Sequence, residues 1–347
     1  MEEIKTLRVN VKNGYDIKIG KNLLDTLGKE IANISKDSKI AVISDDIVFS
    51  LYGKRVVSLI EREGFIVKFF YFDHGEENKN LSTYEKILDF LAQNEFTRKD
   101  VVIALGGGVV GDTVGFVSAT FLRGVKYIQV PTTLLSAVDS SVGGKTAVDL
   151  KAGKNLVGAF YQPSLVLIDT EIIKNLPKDI YLDGMGEVLK YAVLSKKVYE
   201  LLRKENYSLQ DLIYLSVDYK RAVVEEDEFE SGNRKLLNLG HTPAHAIELL
   251  SEYKITHGKA VSMGLKIMLA YSLKEKRISN ELYSSLIKII NEKVGDISSP
   301  FTPKQMADAS KNDKKRSGNG ISMVIVNGIE DLEFVKVPVD KVEEVYS

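Results

Sequence analysis

The sequence predicts an α/β domain, a parallel sheet with helices on both faces, followed by a mostly helical domain. Three observations predict it. Short β-branched runs alternate with helix-period segments through the first half. One such run, 100–105, is apolar enough for a buried parallel strand and ends in Gly106-Gly107-Gly108. From about Pro177 the apolar spacing becomes helical and strand runs almost vanish. The expected domains are 1–172 and 173–347, with the boundary region near 170–178.

The elements follow in order. Segments 7–11 and 15–19 read as strands joined at Asn13-Gly14, a two-residue hairpin signal. Then come a helix near 21–33, a strand 39–43, a helix near 47–63, a strand 65–72 and a helix near 81–94. After the glycine triplet follow a helix 109–121, a strand 127–130, a short helix from Thr132 and a strand 165–168. The second half offers helices near 183–205, 210–228, 242–252, 257–274 and 279–293. A last hairpin, 321–326 with 332–337, is expected to turn at Asn327-Gly328. No internal repeat or low-complexity tract interrupts the chain.

Composition narrows the function classes. The 347 residues are 44% apolar and 27% charged, which excludes a disordered or fibrous chain. Lys plus Arg is 47 and Asp plus Glu is 48, so no global basic field exists for nucleic acid or an anionic membrane. With no Cys, disulfides, thiolate metal sites and a cysteine nucleophile are excluded. The acidic start MEEIKTLRVN lacks a secretory pattern, and no segment has the uncharged length of a membrane helix. A cytoplasmic setting is expected.

Gly106-Gly107-Gly108-Val109-Val110-Gly111 satisfies G-x-G-x-x-G between an expected strand and an expected helix. Bare backbone N–H groups at a helix start suit a pyrophosphate. The loop departs from the dinucleotide fingerprint: it follows a late strand, and no acid lies about 20 residues on to grip a ribose. Asp45, after the strand 39–43, could take that part. A tight strand–helix packing turn explains the same glycines, so both readings stay open.

Gly143-Gly144-Lys145-Thr146 mimics the end of a P-loop but lacks its leading Gly and a preceding buried strand. Lys145, Lys151, Lys154 and Asn155 crowd a Gly-rich, non-helical stretch that suits a substrate phosphate. Ordinary surface lysines on a solvated loop are the simpler account of these residues taken alone. The chain has four His, and His241, His245 and His257 stand close together. Glu187 with two of them would make a catalytic zinc set. Spacing of four favours His241 with His245, yet Thr242-Pro243 reads as N-cap and N1, which puts His241 outside the helix. The choice of pair stays open. Arg234 and Asn238, also four apart, could meet one carboxylate or form a plain surface pair. Lys314-Lys315-Arg316 reads as a solvated turn.

Taken together, GGGVVGDTVGFVSATFLRG, QVPTTLLSAVDSSVGGKTAVDL, KNLVGAF, GMGEVLKYA, RKLLNLGHTPAHAIE and HGKAVSMG resemble the 3-dehydroquinate synthase family of sugar-phosphate cyclases, over roughly residues 75 to 325. The resemblance implies a Rossmann-like sheet domain and a helical domain (the dehydroquinate synthase-like fold) with NAD and zinc, or cobalt as the alternative ion, in the cleft between them. It implies a carbon–oxygen lyase of the shikimate pathway, acting on 3-deoxy-D-arabino-heptulosonate 7-phosphate. Glu187, His241 and His257 are then the metal ligands. His245 carries protons, since imidazole titrates near neutral pH.

By the same resemblance Asp139, Lys190 and Asn238 hold ring hydroxyls, and Lys220 with Arg234 receives the carboxylate. Lys145, Asn155, Arg123 and one of Lys314 and Lys315 form the phosphate site. Asp45, Glu76, Lys79, Gly107, Gly108, Asp112, Thr132, Thr133 and Lys154 hold NAD. A homodimer with Arg123 acting in trans is implied as well. Departures from the family pattern are Ile47, Asn175, Ile180 and Pro243-Ala244. The first three bear on NAD contacts and the last leaves both flanking His intact. The rival readings are another cyclase, such as 2-deoxy-scyllo-inosose synthase or a valiolone synthase, a metal-dependent polyol dehydrogenase, and a non-catalytic sugar-phosphate or NAD sensor. Lys220, Arg234 and Asn238 argue for a substrate carboxylate, which the first of these lacks.

Overall fold

The structure, a computed structural model, describes residues 3–313 and 320–347. Two compact units form: one runs up to Leu176 and includes Lys220–Phe229, the other comprises Pro177–Tyr219 and the residues from Glu230 onward. The division falls between Leu176 and Pro177, where 172/173 is expected from sequence, and Lys220–Phe229 sides with the first unit rather than the helical one.

The first unit holds β1 (Lys5–Val9), β2 (Tyr15–Gly20), α1 (Leu27–Ile34), β3 (Lys39–Asp45), α2 (Asp46–Val48), α3 (Lys54–Glu61), β4 (Ile66–Phe72), α4 (Leu81–Gln93), β5 (Val101–Gly106), α5 (Gly108–Thr120), β6 (Lys126–Pro131), β7 (Lys145–Leu150), β8 (Gly153–Phe160), β9 (Leu165–Asp169) and α6 (Thr170–Lys174). Seven strands make one sheet in the order β1-β2-β9-β6-β5-β3-β4. All neighbours are parallel except β1 with β2. Side chains alternate between two cores. Val101, Ile103 and Leu105 of β5 join Leu27, Ile31, Val56 and Ile60 on one face. Val102 and Ala104 join Ile87, Leu91, Val114 and Val117 on the other. Both faces are apolar because helices cover both. From β3 the chain steps outward to β4 and then returns to β5 on the other side of β3. The strand order therefore reverses between β3 and β5, and their carboxyl ends, Asp45 and Gly106, flank the point where such sheets bind ligands.

The second unit contains α7 (Lys178–Leu194), α8 (Lys196–Leu202), most of α9 (Leu209–Glu226), α10 (His241–Leu250), α11 (His257–Lys274), α12 (Asn280–Val294), α13 (Pro303–Asp313), β10 (Gly320–Gly328), β11 (Asp331–Pro338) and α14 (Val342–Tyr346). Helix α11 packs against α7, α10, α12 and β10. None of the described helices is long and apolar enough to cross a membrane.

Three local expectations are corrected. The first hairpin pairs Val9 with Tyr15, so its connection runs over 10–14 and is not a two-residue turn. Gly14 serves close packing instead, since a Cβ there would lie 2.9 Å from the Val9 carbonyl oxygen. The last hairpin pairs Gly328 with Asp331, so Ile329-Glu330 makes the turn and Asn327 falls in a bulge. Glu330, at φ +63°, is anchored there: its N–H donates to the Val193 carbonyl at 2.9 Å, and its carboxylate accepts from Lys196 N–H at 2.8 Å. Finally, the Gly-rich stretch after Gly144 is the antiparallel pair β7–β8, not a loop. Its Lys and Asn residues hide the strand period.

Asp169 ties strand, turn and helix together. Its buried carboxylate accepts from the N–H groups of Asn22 at 2.9 Å, Leu24 at 3.0 Å and Glu171 at 3.0 Å. Asp169→Ala is expected to cost about 3 kcal/mol, because buried donors lose a charged acceptor. A denaturant titration followed by circular dichroism checks this; a midpoint equal to wild type would contradict it.

Candidate functional site

In the second unit three helices bring Glu187, His241 and His257 together. Glu187 sits mid-way along α7, His241 opens α10 and His257 opens α11. One carboxylate oxygen, Glu187 Oε1, lies 3.3 Å from His241 Nε2 and 3.1 Å from His257 Nε2. Ligand atoms about 2.0–2.1 Å from a tetrahedral zinc stand about 3.3 Å apart, so the three donors suit one ion. The far ring atoms are held as metal-binding imidazoles require. His241 Nδ1 lies 3.1 Å from the Leu239 carbonyl oxygen, and His257 Nδ1 lies 3.5 Å from Glu248 Oε2.

The expected cap of α10 is corrected. The helix begins at His241 with Gly240, φ +77°, at its N-cap. Thr242 is inside the helix, where its hydroxyl donates to the Ser322 carbonyl at 3.0 Å. Pro243 is tolerated in the first turn, because N–H groups there have no intrahelical acceptor. His241 and His245 thus share a helix, with ring centroids 5.8 Å apart. His245 is exposed and stands outside the ligand group.

Charge balances the burial of Glu187. Burial alone would raise its pKa, but the Lys190 ammonium paired to Oε2 and the neighbouring His241 hold it well below the usual carboxylate range. Burial alone would lower the His257 pKa, but hydrogen bonds to Glu187 and Glu248 push it up to about 10.

The first unit gathers the nucleotide-type residues at the sheet's switch point. Gly107 is the N-cap of α5, and Gly108 is its first residue. A Cβ on Gly107 would come 3.2 Å from Thr133 Cγ2, and one on Gly108 would come 3.3 Å from Ser140 Oγ. The turn needs small residues and leaves the backbone N–H groups of a helix start bare. Thr132 Oγ1 is buried there with no hydrogen-bond partner among the described residues. Asp45 caps α2 by accepting from Val48 N–H at 2.8 Å, and burial pushes its pKa up. These features fit an anionic dinucleotide with a ribose near Asp45.

Beside them lies a charged web. Lys79, buried, reaches Asp112 Oδ2 and Asn155 Oδ1, each at 2.6 Å. Burial alone would lower its pKa, but the Asp112 and Glu76 carboxylates hold it above the ordinary value. Lys154 lies 3.6 Å from Glu76. Lys220, also buried, lies 3.0 Å from the Asp139 carboxylate and donates to the Asp139 carbonyl at 2.7 Å. Lys145 is exposed on β7. Arg123 is exposed after α5, with Leu122 at φ +49° and Arg123 itself at φ +68°.

In the second unit Arg234 is only 1% exposed, and Asn238 donates to Glu230 Oε1 at 3.2 Å. Lys314 and Lys315 lie outside the described residues. Sequence reading missed Glu248 and Asp183. An acid on the buried face of an otherwise apolar helix turn, as in Ala246-Ile247-Glu248, is the signal that could have found the first.

Residues 69–183 match the family model described as 3-dehydroquinate synthase N-terminal, and residues 184–316 the one described as 3-dehydroquinate synthase C-terminal. The 3-dehydroquinate synthase of Streptococcus thermophilus is 40% identical over 351 residues, 97% of this chain and 98% of that one. A crystal structure of 2-deoxy-scyllo-inosose synthase complexed with carbaglucose-6-phosphate, NAD+ and Co2+ is 25% identical, with a TM-score of 0.87 and 99% of each chain covered. The 2-epi-5-epi-valiolone synthase of Streptomyces hygroscopicus subsp. jinggangensis, with NAD+ and Zn2+ bound, shares the fold at a TM-score of 0.82, with 22% identity over 95% of each chain.

Two measurements test the ligand set. His257→Ala is expected to purify without stoichiometric zinc and His245→Ala to keep it; a metal-free His245→Ala would move the set. Because His257 is held protonated up to about 10 and a metal needs it neutral, zinc uptake must expel its proton. Apparent zinc affinity should therefore rise with pH, by up to about tenfold per unit below that value. Calorimetry in buffers of different ionisation enthalpy should count about one proton released at pH 8; none released would contradict this.

Proposed function

The chain belongs to the 3-dehydroquinate synthase family, and we propose that it converts 3-deoxy-D-arabino-heptulosonate 7-phosphate into 3-dehydroquinate and phosphate. The observation that carries the reading is the convergence of His241 and His257 on one oxygen of Glu187, in a chain 40% identical to a full-length family member. The reaction runs through oxidation at C5, elimination of phosphate, reduction at the same carbon, and ring opening with aldol closure.

When bound, NAD supplies a reversible hydride acceptor, and zinc, or cobalt in its place, supplies a Lewis acid at the substrate hydroxyls. Glu187, His241 and His257 would hold the ion. Gly107, Gly108 and the start of α5 would hold the pyrophosphate, with Asp45 on a ribose hydroxyl. Glu76, Lys79, Asp112, Thr132, Thr133 and Lys154 complete the NAD set. Lys190 keeps Glu187 ionised by its charge and offers a donor to a ring hydroxyl, as does the Asn238 amide, while the Asp139 carboxylate accepts from one. Arg234 and Lys220 take the carboxylate, because a planar guanidinium binds both of its oxygens. Lys145 and Asn155 bind the phosphate, and Lys145 stabilises the charge that builds as it leaves. His245 carries the proton: its imidazole can both accept and donate one, and it stands beside the ligand cluster without belonging to it.

Oxidation and reduction at one carbon make NAD a catalyst. Phosphate release should continue with NAD at about one hundredth of the substrate concentration, with no net NADH. NADH rising in step with phosphate would indicate a dehydrogenase. Release from glucose 6-phosphate, but not from the heptulosonate, would indicate an inosose synthase.

We also propose a cytoplasmic homodimer in which Arg123 completes the partner's phosphate site. Its support is an exposed turn held in an unfavourable backbone form, with Arg98 Nε donating to the Leu122 carbonyl at 2.7 Å. Arg123→Ala and Lys145→Ala, each nearly inactive, should regain about a quarter of wild-type activity when co-refolded in equal amounts. A mixture that stays inactive would place Arg123 in its own chain's site.

A further inference from the structure

Helix α11 begins with a ligand and without a cap of its own. Thr256 at its N-cap makes no side-chain bond to the helix. The first N–H groups of a helix have no intrahelical acceptor, so another group must serve them. Here the acceptor comes from a different helix. Asp183 Oδ1, one turn before Glu187 on α7, accepts from Gly258 N–H at 2.8 Å and from Lys259 N–H at 3.3 Å. At the same place the two backbones touch. A Cβ on Gly258 would lie 1.7 Å from the Asp183 carbonyl oxygen, and one on Gly186 would lie 2.0 Å from the Gly258 carbonyl oxygen.

The neighbours of these glycines are the ligands: Glu187 follows Gly186, and His257 precedes Gly258. A second contact of this kind joins α10 to α11, where a Cβ on Gly264 would lie 2.1 Å from the Gly240 carbonyl oxygen, and His241 follows Gly240. The backbone segments that carry the three donors are therefore held against one another by direct contacts. The glycines permit the α7–α11 contact. The bonds from Asp183 lock it along the helix axis, where a glide would otherwise separate Glu187 from His257.

We propose that Asp183 is a positioning residue for the metal: by capping α11 from α7 it holds His257 in register with Glu187. The inference rests on the reading of Glu187, His241 and His257 as metal ligands.

The test is zinc competition against a chromophoric chelator, with the melting temperature of the metal-free protein measured in parallel. Asp183→Ala is expected to weaken zinc binding about tenfold or more, the scale seen when groups behind metal ligands are removed. Asp183→Asn keeps an acceptor oxygen and should return to within about threefold of wild type. Ser279→Ala is the control. It removes the cap of α12, where Ser279 Oγ accepts from Leu282 N–H at 3.2 Å, and should lower the melting temperature but leave zinc affinity unchanged. Equal zinc affinity in Asp183→Ala and wild type overturns the proposal, as does an equal loss in Ser279→Ala. An Asp183→Asn as weak as Asp183→Ala also overturns it. Should Asp183→Ala fail to fold, Asp183→Glu carries the test. It keeps the charge but lengthens the reach, so weakened zinc at a near-native melting temperature supports the role and unchanged zinc overturns it. A wild-type protein that binds no zinc removes the ligand assignment, and this proposal with it.

Discussion

The contact between the backbones of α7 and α11 is the constraint on which the metal cluster depends. Side chains on two helices usually meet across the 8–10 Å that separates packed helix axes. Glu187 and His257 both lie beside the crossing, next to Gly186 and Gly258, so the backbone contact there fixes where their side chains start from. Gly186 and Gly258 make the approach sterically allowed, and nothing larger fits at either position. Glycine lowers helix stability by about 1 kcal/mol relative to alanine. Its presence in the interior of α7 is explained by the contact, not by the helix.

Burial of charge follows from that geometry. Glu187 is almost fully enclosed, and an isolated carboxylate there would take up a proton instead of remaining ionised. Lys190, one turn along the same helix and equally buried, supplies the compensating charge. The first unit solves the same problem with Lys79 and Asp112, and again with Lys220 and Asp139. Buried pairs of this type are weak sources of stability. Their value is positional, since each partner leaves the other few alternative places to be.

These facts explain which features the sequence revealed. Strands β3 and β5 were legible because both of their faces are covered, which leaves an uninterrupted apolar run. Strands β7 and β8 were not, because their partly exposed faces carry Lys145, Lys154 and Asn155, whose polarity reads as loop. The metal cluster was legible as chemistry, since His is scarce in this chain, but its pairing was not. Spacing of four within one helix points to His241 and His245, whereas His241 and His257, which converge on Glu187 Oε1, open two different helices. That choice is made by glycine contacts between segments far apart in sequence, and no local period records them. The turn of β10–β11 escaped for the same reason: Glu330 is held by Val193 and Lys196, and that tertiary pull overrides Asn327-Gly328.

The two proposed ligand sites draw on different physics. At the switch point of the sheet the proposed dinucleotide site is built from backbone: a glycine turn and a helix start present N–H groups that suit a pyrophosphate, with little regard to what is attached. In the second unit the proposed site uses buried side chains, and the substrate carboxylate is assigned to Arg234, which is almost fully buried. A guanidinium enclosed to this degree is costly unless its donors are matched by acceptors of comparable charge. On the proposed assignment a substrate carboxylate would offer acceptors in a planar, two-oxygen form that a neutral hydroxymethyl cannot copy. On that assignment, an analogue lacking the carboxylate forfeits charge-assisted hydrogen bonds, which discriminates more strongly than one methylene does in an apolar pocket. A change at Arg234 would then alter substrate choice while the glycine contacts beside Glu187, His241 and His257 stay as they are.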